Sequence, residues 1–263
     1  MAAAGVFFST LRDQRRGLVA WSIGVALTVV VMAAIWPSFA DMDIGKLLAE
    51  YPQAMKDLFD VGGMSTGTGY LNAELFSLML PAIFIIYGVS RGARLIAGEE
   101  EDGTLEVLAT MPISRTGILC QKCAALMLDV AVLAVVLFLA TWLSSAMFGL
   151  DIAVLDSARG AIAMGFIGVE FGLVALALSA ATGRRTLAVG VSAGLAGASY
   201  LIYLVAQLIE SLRPLRVVSP FYQAISRGPI GPVLPPIAWV MVAVGLICFA
   251  WSIVVFRSRD LGG

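Results

Sequence analysis

The sequence contains no histidine among its 263 residues, and only 13% of the residues are charged. Without imidazole the chain lacks the commonest general base and the commonest zinc ligand, which argues against most hydrolase and metalloenzyme functions. The net charge of -1 also shows no basic excess of the kind that nucleic-acid binding requires. We therefore expect no nucleic-acid partner, and no metal or cofactor bound by this chain.

Cysteine is scarce as well, with three residues in the chain. Cys120 and Cys123 have the spacing of half a zinc or redox site, but a second pair is missing. Cys248 lies in a long apolar run and is most simply a small apolar residue. We expect no metal or redox role for these thiols.

Apolar residues make up 60% of the sequence, and the mean hydropathy is +0.93. A bilayer core about 30 Å thick is crossed by about 20 apolar residues in a helix that rises ~1.5 Å per residue. Six stretches reach this length, so the predicted fold is an all-α polytopic membrane protein, a single domain over residues 1–263. The predicted transmembrane spans are residues 17–37, 75–97, 124–148, 160–182, 186–208 and 236–256.

The distribution of lysine and arginine predicts the orientation of these spans. If both termini lie inside, the inner segments carry eleven of the seventeen basic residues and a net charge of +3, whereas the outer segments sum to -3. We therefore expect a multi-pass protein of the plasma membrane with cytoplasmic N and C termini.

Residues 1–16 are predicted to form a separate amphipathic helix on the cytoplasmic surface, with Val6, Phe7 and Leu11 toward lipid. The alternative is a frayed tail with flanking charges. A cleavable signal peptide is disfavoured, because the apolar run over residues 17–37 is longer than the ~7 to 15 residues of a typical signal-peptide core.

Two outer segments are more than simple loops. Residues 42–60 place apolar and charged residues at helical spacing, which indicates a helix reclining at the outer interface. Residues 213–236 hold six of the ten prolines, so we expect a compact, partly re-entrant cap there instead of a regular helix.

The connection between the second and third spans is the most informative stretch. Gly98 is expected to end the second span, the acidic run after it favours the start of a new helix, and Pro112 ends that helix. In the predicted helix over residues 99–112, Leu105 and Leu108 share an apolar stripe flanked by acidic residues. Such a helix suits docking into a groove of a partner protein, and it equally suits a connector packed on its own bundle.

The run from Ala97 to Leu108, followed by Pro-Ile-Ser-Arg at 112–115, resembles the signature of ABC-2 type transporter permease subunits. The six spans, the Ser-Pro-Phe-Tyr stretch at 219–222 and the C-terminal residues 256–261 also match that pattern. The resemblance therefore covers nearly the whole chain.

The resemblance implies that residues 99–112 form a coupling helix seated in a groove of a separate cytoplasmic ABC ATPase subunit, present in two copies. It also implies a second permease subunit, alike or different, and outward transport of an amphiphilic, drug-like or lipid-like compound. ATP and Mg²⁺ would be bound by the partner subunit, and this chain would not itself be an enzyme. The residues implied in the contact are Glu99, Glu100, Glu101, Asp102, Gly103, Thr104, Leu105, Glu106, Leu108, Pro112 and Arg115.

The lysines offer an independent check on where ATP is bound. A phosphate-binding loop of the form Gly-x-x-x-x-Gly-Lys-[Ser/Thr] places a lysine directly after a glycine pattern. The three lysines are Lys46, Lys56 and Lys122, and none of them follows such a pattern. We therefore expect ATP hydrolysis in another polypeptide.

Some residues inside the spans are candidates for the transport pathway. Glu170 lies near the middle of the fourth span, where a charge costs about 2.5 to 3.5 kcal/mol on insertion scales. We expect it to face the bundle or a wet cavity, either as a pathway or proton-linked residue or as a structural carboxylate. Pro81 is expected to kink the second span.

Glycines in the fourth and fifth spans recur at spacings that allow close helix packing in lipid. Gly168 and Gly172 form one pair, and Gly190, Gly194 and Gly197 form a second stripe. Both sets are predicted to be internal packing faces. The resemblance also allows the second stripe to line the pathway or a dimer seam.

Two other functions compete with that of an ABC-2 permease. A secondary transporter or channel would use Glu170 for ion coupling and would need no ATPase. It also predicts an internal repeat, which is not found between residues 1–130 and 131–263. An intramembrane enzyme has the least support, because the sequence has no histidine, no paired membrane carboxylates and no metal-ligand cluster.

Overall fold

The computed structural model describes residues 5–40, 65–105, 113–226, 228–231, 233 and 235–259. The helix predicted over residues 42–60 lies outside these ranges, as do residues 106–112 of the predicted coupling helix, which include the predicted contact residues Glu106, Leu108 and Pro112.

Six helices of the described chain are long and apolar enough to cross a membrane, which confirms the number of spans predicted. The α-helices are α1 (Gly5–Ala40), α2 (Gly67–Leu71), α3 (Met79–Ala93), α4 (Glu99–Glu101), α5 (Arg115–Phe148), α6 (Val154–Thr182), α7 (Arg185–Leu208), α8 (Pro220–Ile225) and α9 (Trp239–Ser258). Two π-helical turns, Asn72–Phe76 and Arg94–Gly98, lie on either side of α3, and 3₁₀ segments occupy Glu210–Val218 and Pro236–Ala238.

The N-terminal helix differs from its prediction. Residues 5–16 do not form a separate surface helix, because α1 continues without a break from Gly5 to Ala40. Val6, predicted to face lipid, is 1% exposed, and the Phe7 amide donates a hydrogen bond to Gln121 Oε1 of α5 at 3.1 Å. The start of α1 therefore packs along α5.

Pro81 lies just after an interruption of the second span instead of inside one kinked helix. The predicted span over residues 75–97 is divided, with a π-helical turn up to Phe76 and a new helix from Met79. Pro81 therefore lies in the first turn of α3. A proline is tolerated there, because the backbone N–H that it lacks would have no intrahelical partner in any case.

The centre of the bundle is the crossing of α3 and α6, where the two backbones touch. A Cβ added at Gly88 would lie 2.1 Å from Gly168 O, and one at Gly92 would lie 2.1 Å from Gly172 O. We call these four residues the glycine crossing. The predicted packing role of Gly168 and Gly172 is confirmed, whereas the matching pair on α3 was not singled out although it has the same four-residue spacing.

The second glycine stripe does not pack inside this chain. A Cβ added at Gly190, Gly194 or Gly197 would meet nothing within 4 Å in the structure. The prediction of an internal packing face is therefore wrong for α7. Its alternative, a pathway or dimer seam, stays a prediction.

At the end of the bundle where α3 begins and α7 ends, side chains form hydrogen bonds to the backbone of neighbouring segments. The Asn72 side chain donates to Ile230 O at 2.9 Å and accepts from the Ile230 amide at 3.0 Å. The Ser219 hydroxyl donates to Ser199 O of α7 at 2.8 Å. The described part of residues 213–236 contains 3₁₀ turns, the short α8 and irregular backbone, in agreement with the irregular cap that the prolines predict.

The close approach at the glycine crossing predicts that one added methyl group destabilises the fold. Gly88→Ala should lower the free energy of unfolding by about 1 to 3 kcal/mol, because the new Cβ overlaps a backbone oxygen that has no rotamer to escape into. Thermal unfolding in detergent, followed by tryptophan fluorescence, measures the change. The matched control is Gly165→Ala on α6, whose Cβ would meet only Ala134 Cβ at an ordinary 3.5 Å. Equal midpoints for both variants would contradict the crossing.

Candidate functional site at the glutamate run

The acidic run continues the second span. Gly98 has the helical angles φ -65° and ψ -40°, so the expectation that it ends the helix is wrong. The helix continues through Glu101 and ends at Gly103, whose φ of +69° is the left-handed conformation that glycine adopts without strain. The predicted helix over residues 99–112 is therefore interrupted by a turn at Asp102 and Gly103. We call Glu99, Glu100 and Glu101 the glutamate run.

Glu99 forms an ion pair with Lys122 of α5. The Lys122 side chain is fully buried, and its ammonium also donates to Leu95 O at 2.7 Å. A buried ammonium costs several kcal/mol unless it is paired and hydrogen-bonded. The Glu99 side chain is 25% exposed. Its carboxylate offsets the cost of burying the Lys122 ammonium.

Glu100 and Glu101 contact two further helices. The Glu100 carboxylate pairs with Arg259, the residue after α9, and Arg259 also donates to Ala180 O of α6 at 3.3 Å. Glu101 Oε1 accepts a hydrogen bond at 2.9 Å from the backbone N–H of Arg185, the first residue of α7. This second contact is favourable because the first N–H groups of a helix lack partners and carry its positive dipole end.

The turn between α6 and α7 and the start of α5 complete this cluster. Gly183, with a φ of +63°, ends α6, and a Cβ there would lie 2.7 Å from Glu100 Oε2. Arg115, the first residue of α5, donates from Nη1 to Phe256 O at 3.4 Å and also to Arg259 O. The glutamate run, Arg115 and Arg259 thus join the second span to α5, α7 and α9.

Leu105 is the residue of the predicted apolar stripe that the structure describes, and it points inward. Leu105 is 2% exposed and belongs to the core of its own chain, whereas Asp102, Gly103 and Thr104 are exposed. Within the described residues, a partner protein would therefore meet a polar turn. The Leu105 side chain is not presented for docking, because it is used in packing the bundle.

A second buried ion pair lies deeper in the bundle. Arg91 Nη2 is 2.6 Å from Asp129 Oδ2, with side chains that are 11% and 1% exposed. Arg91 also donates to Gln14 O at 3.3 Å, and its guanidinium lies 5.3 Å from the centroid of the Tyr87 ring. The pair joins α1, α3 and α5. Sequence reasoning gave it no role, although a basic and an acidic residue near the same end of adjacent spans are the signal that was available.

Glu170 lies apart from the glutamate run, in the middle of α6. Its side chain is 5% exposed, so it faces the bundle as its position in the sequence predicts. Among the residues that the structure describes, none donates a hydrogen bond to Glu170 Oε2, and no three His, Cys, Asp or Glu residues cluster as a metal site requires.

A comparison with protein families identifies the chain. The family model described as "Multidrug efflux system permease Rv1217c, C-terminal domain" matches residues 5–257. The chain belongs to this family. No curated protein matches it. Membership of a multidrug efflux permease family agrees with the six apolar helices and makes the chain a multi-pass membrane protein.

The Glu99–Lys122 pair predicts an asymmetric double-mutant cycle. Glu99→Ala should destabilise the protein by about 3 kcal/mol, because it leaves the buried ammonium without its counter-charge. Lys122→Met should cost less than about 1 kcal/mol, since methionine fills the space and Glu99 reaches water. Thermal unfolding in detergent measures both. The double variant should resemble Lys122→Met alone, and additive losses would show that the two side chains are not coupled.

Proposed function

We propose that the chain is the permease subunit of an ABC-2 type exporter, driven by ATP hydrolysis in a separate nucleotide-binding subunit. The observation that carries this proposal is the set of contacts made by the glutamate run. Its three carboxylates are bonded to α5, to the end of α9 and to the start of α7. A displacement of this one short segment therefore acts on three membrane helices at once.

In this proposal, residues 99–112 lie on the ATPase subunit and move with it when two such subunits close on ATP. The described part of the contact surface is the exposed turn from Asp102 to Thr104, because Leu105 packs inside. The motion passes from Glu99 to Lys122 and so to α5. It passes to α6 through the glycine crossing, where backbones touch and no flexible side chain absorbs the displacement.

The same proposal assigns the membrane sides and the assembly. The start of α1 and the residue after α9 both contact the end of the bundle that carries the glutamate run. We place this end in the cytoplasm of a plasma-membrane protein because of the charge distribution of the sequence.

Two permease subunits pair through α7 in this proposal, because its exposed stripe of Gly190, Gly194 and Gly197 allows close approach in lipid.

The proposed substrate is an amphiphilic, drug-like or lipid-like compound that moves outward. The description of the family as a multidrug efflux permease supports both the direction and the broad substrate class. ATP and Mg²⁺ are bound by the partner subunit in this mechanism, and this chain supplies the pathway.

Charge reversal on the exposed turn tests the ATPase contact. Asp102→Arg should reduce co-purification of the proposed ATPase subunit by several-fold, because it changes a side chain at the contact without removing an internal ion pair found in the structure. Glu74→Arg is the matched control, since Glu74 is also exposed and has no ion pair in the described structure, but it lies before α3 at the other end of the second span. Pull-down from membranes and the ATPase rate in lipid measure the effect. Loss of the ATPase in both variants, or in neither, would contradict the proposed contact.

A second candidate function is a secondary transporter in which Glu170 couples ion flow to transport. It is favoured by the burial of the Glu170 carboxyl, one oxygen of which has no hydrogen-bond partner within the described chain. Such a carboxyl can exchange a proton without breaking an ion pair.

Glu170→Gln separates the two functions. Glutamine keeps the size and polarity of the side chain but cannot titrate. If transport is driven by ATP, the variant should retain most of its ATP-dependent drug efflux in proteoliposomes that also contain the ATPase subunit. If Glu170 couples ions, efflux driven by a proton gradient should occur without the ATPase and should disappear in the variant.

A further inference from the structure

The π-helical turn before the glutamate run has a specific cause. In a regular α-helix the Ala97 amide would donate to Ala93 O. Here it donates to Ser179 Oγ of α6 at 2.7 Å, and the same hydroxyl donates to Ala93 O at 3.0 Å. Ser179 is thus inserted into the hydrogen-bond ladder of the second span, and the π-helical turn Arg94–Gly98 coincides with the insertion. An inserted side chain of this kind is a recognised origin of such turns.

The glycine crossing is what brings Ser179 within reach. A Cβ at Gly92 would lie 2.1 Å from Gly172 O and 3.0 Å from Leu176 N, so the backbones of α3 and α6 touch within two turns of the insertion. Ser179 itself is fully buried. Its hydroxyl has no access to water, and both of its hydrogen bonds to the second span are therefore difficult to replace.

The inserted hydroxyl determines the direction in which the glutamates point. A π-helical turn holds one residue more than an α-helical turn. Closing it into a regular helix would rotate the residues beyond it by about 100° and shift them by ~1.5 Å along the axis. Glu99 would then leave Lys122, and Glu100 would leave Arg259.

We propose that Ser179 is a positioning residue for the glutamate run. Its hydroxyl maintains the π-helical turn and so keeps the three carboxylates in register with α5, α7 and α9. The claim that Ser179 affects coupling to the ATPase rests on the proposed function. The claim that Ser179 fixes the direction of the glutamate run rests only on its two hydrogen bonds to the second span.

The test uses the burial of Lys122 as a reporter on the intact chain in membranes. Ser179→Ala removes the inserted hydroxyl, and acylation of Lys122 by an amine-reactive reagent, measured by mass spectrometry, should accelerate several-fold as Glu99 moves away. Ser157→Ala is the matched control, because Ser157 is also buried in α6 and its hydroxyl has no hydrogen-bond partner in the described structure. Ser179→Thr keeps the hydroxyl and should keep Lys122 protected.

Slow acylation of Lys122 in Ser179→Ala would overturn the proposal, and so would equal acceleration in both alanine variants, which would indicate general loosening. A second readout is the drug-stimulated ATPase rate of the complex. Ser179→Ala should lower this stimulation while the ATPase subunit still co-purifies. If wild type binds no ATPase, the proposed function fails, whereas the acylation of Lys122 still decides whether Ser179 positions the run.

Discussion

The contact between the backbones of α3 and α6 is the constraint on which the remaining structure depends. Gly88 and Gly92 lie against Gly168 and Gly172 with no side chain between them, so the two helices have one separation and one register. In lipid, where apolar surfaces gain little by meeting each other, such close van der Waals packing is a principal source of helix association. The crossing places Ser179 beside the second span, and the second span carries the glutamate run.

Two pairs of charged residues at this end of the bundle join helices within the chain. The Arg91–Asp129 pair joins α1, α3 and α5, and the Glu99–Lys122 pair lies nearer the surface. Each buried partner would be costly alone, so each pair restricts how the helices can slide past one another. An acidic run that reads as a solvent-facing helix start is here a point of attachment for three helices.

This arrangement changes how a partner protein would act on the permease. The apolar side chain of Leu105 is enclosed, and the described surface of the motif is the polar turn after Glu101. The described contacts from the glutamate run to α5, α7 and α9 are made by carboxylates. In the proposed mechanism these ion pairs and hydrogen bonds would carry a displacement of the turn, because their geometry is more directional than that of apolar contacts.

Sequence alone determined the number of spans and the irregular cap, because hydropathy and proline content are local properties. Its motifs also indicated a transporter permease, which agrees with the multidrug efflux permease family that matches the chain. It also predicted Gly168 and Gly172 as a packing face. Only the tertiary structure decided that α3 supplies the matching glycines, that the stripe on α7 is exposed, and that Leu105 faces inward. The reason is that a helix presents several faces of similar composition, and the face that is buried depends on the neighbours. The partners of Glu99, Glu100 and Glu101 come from three distant parts of the chain, so no local pattern could name them.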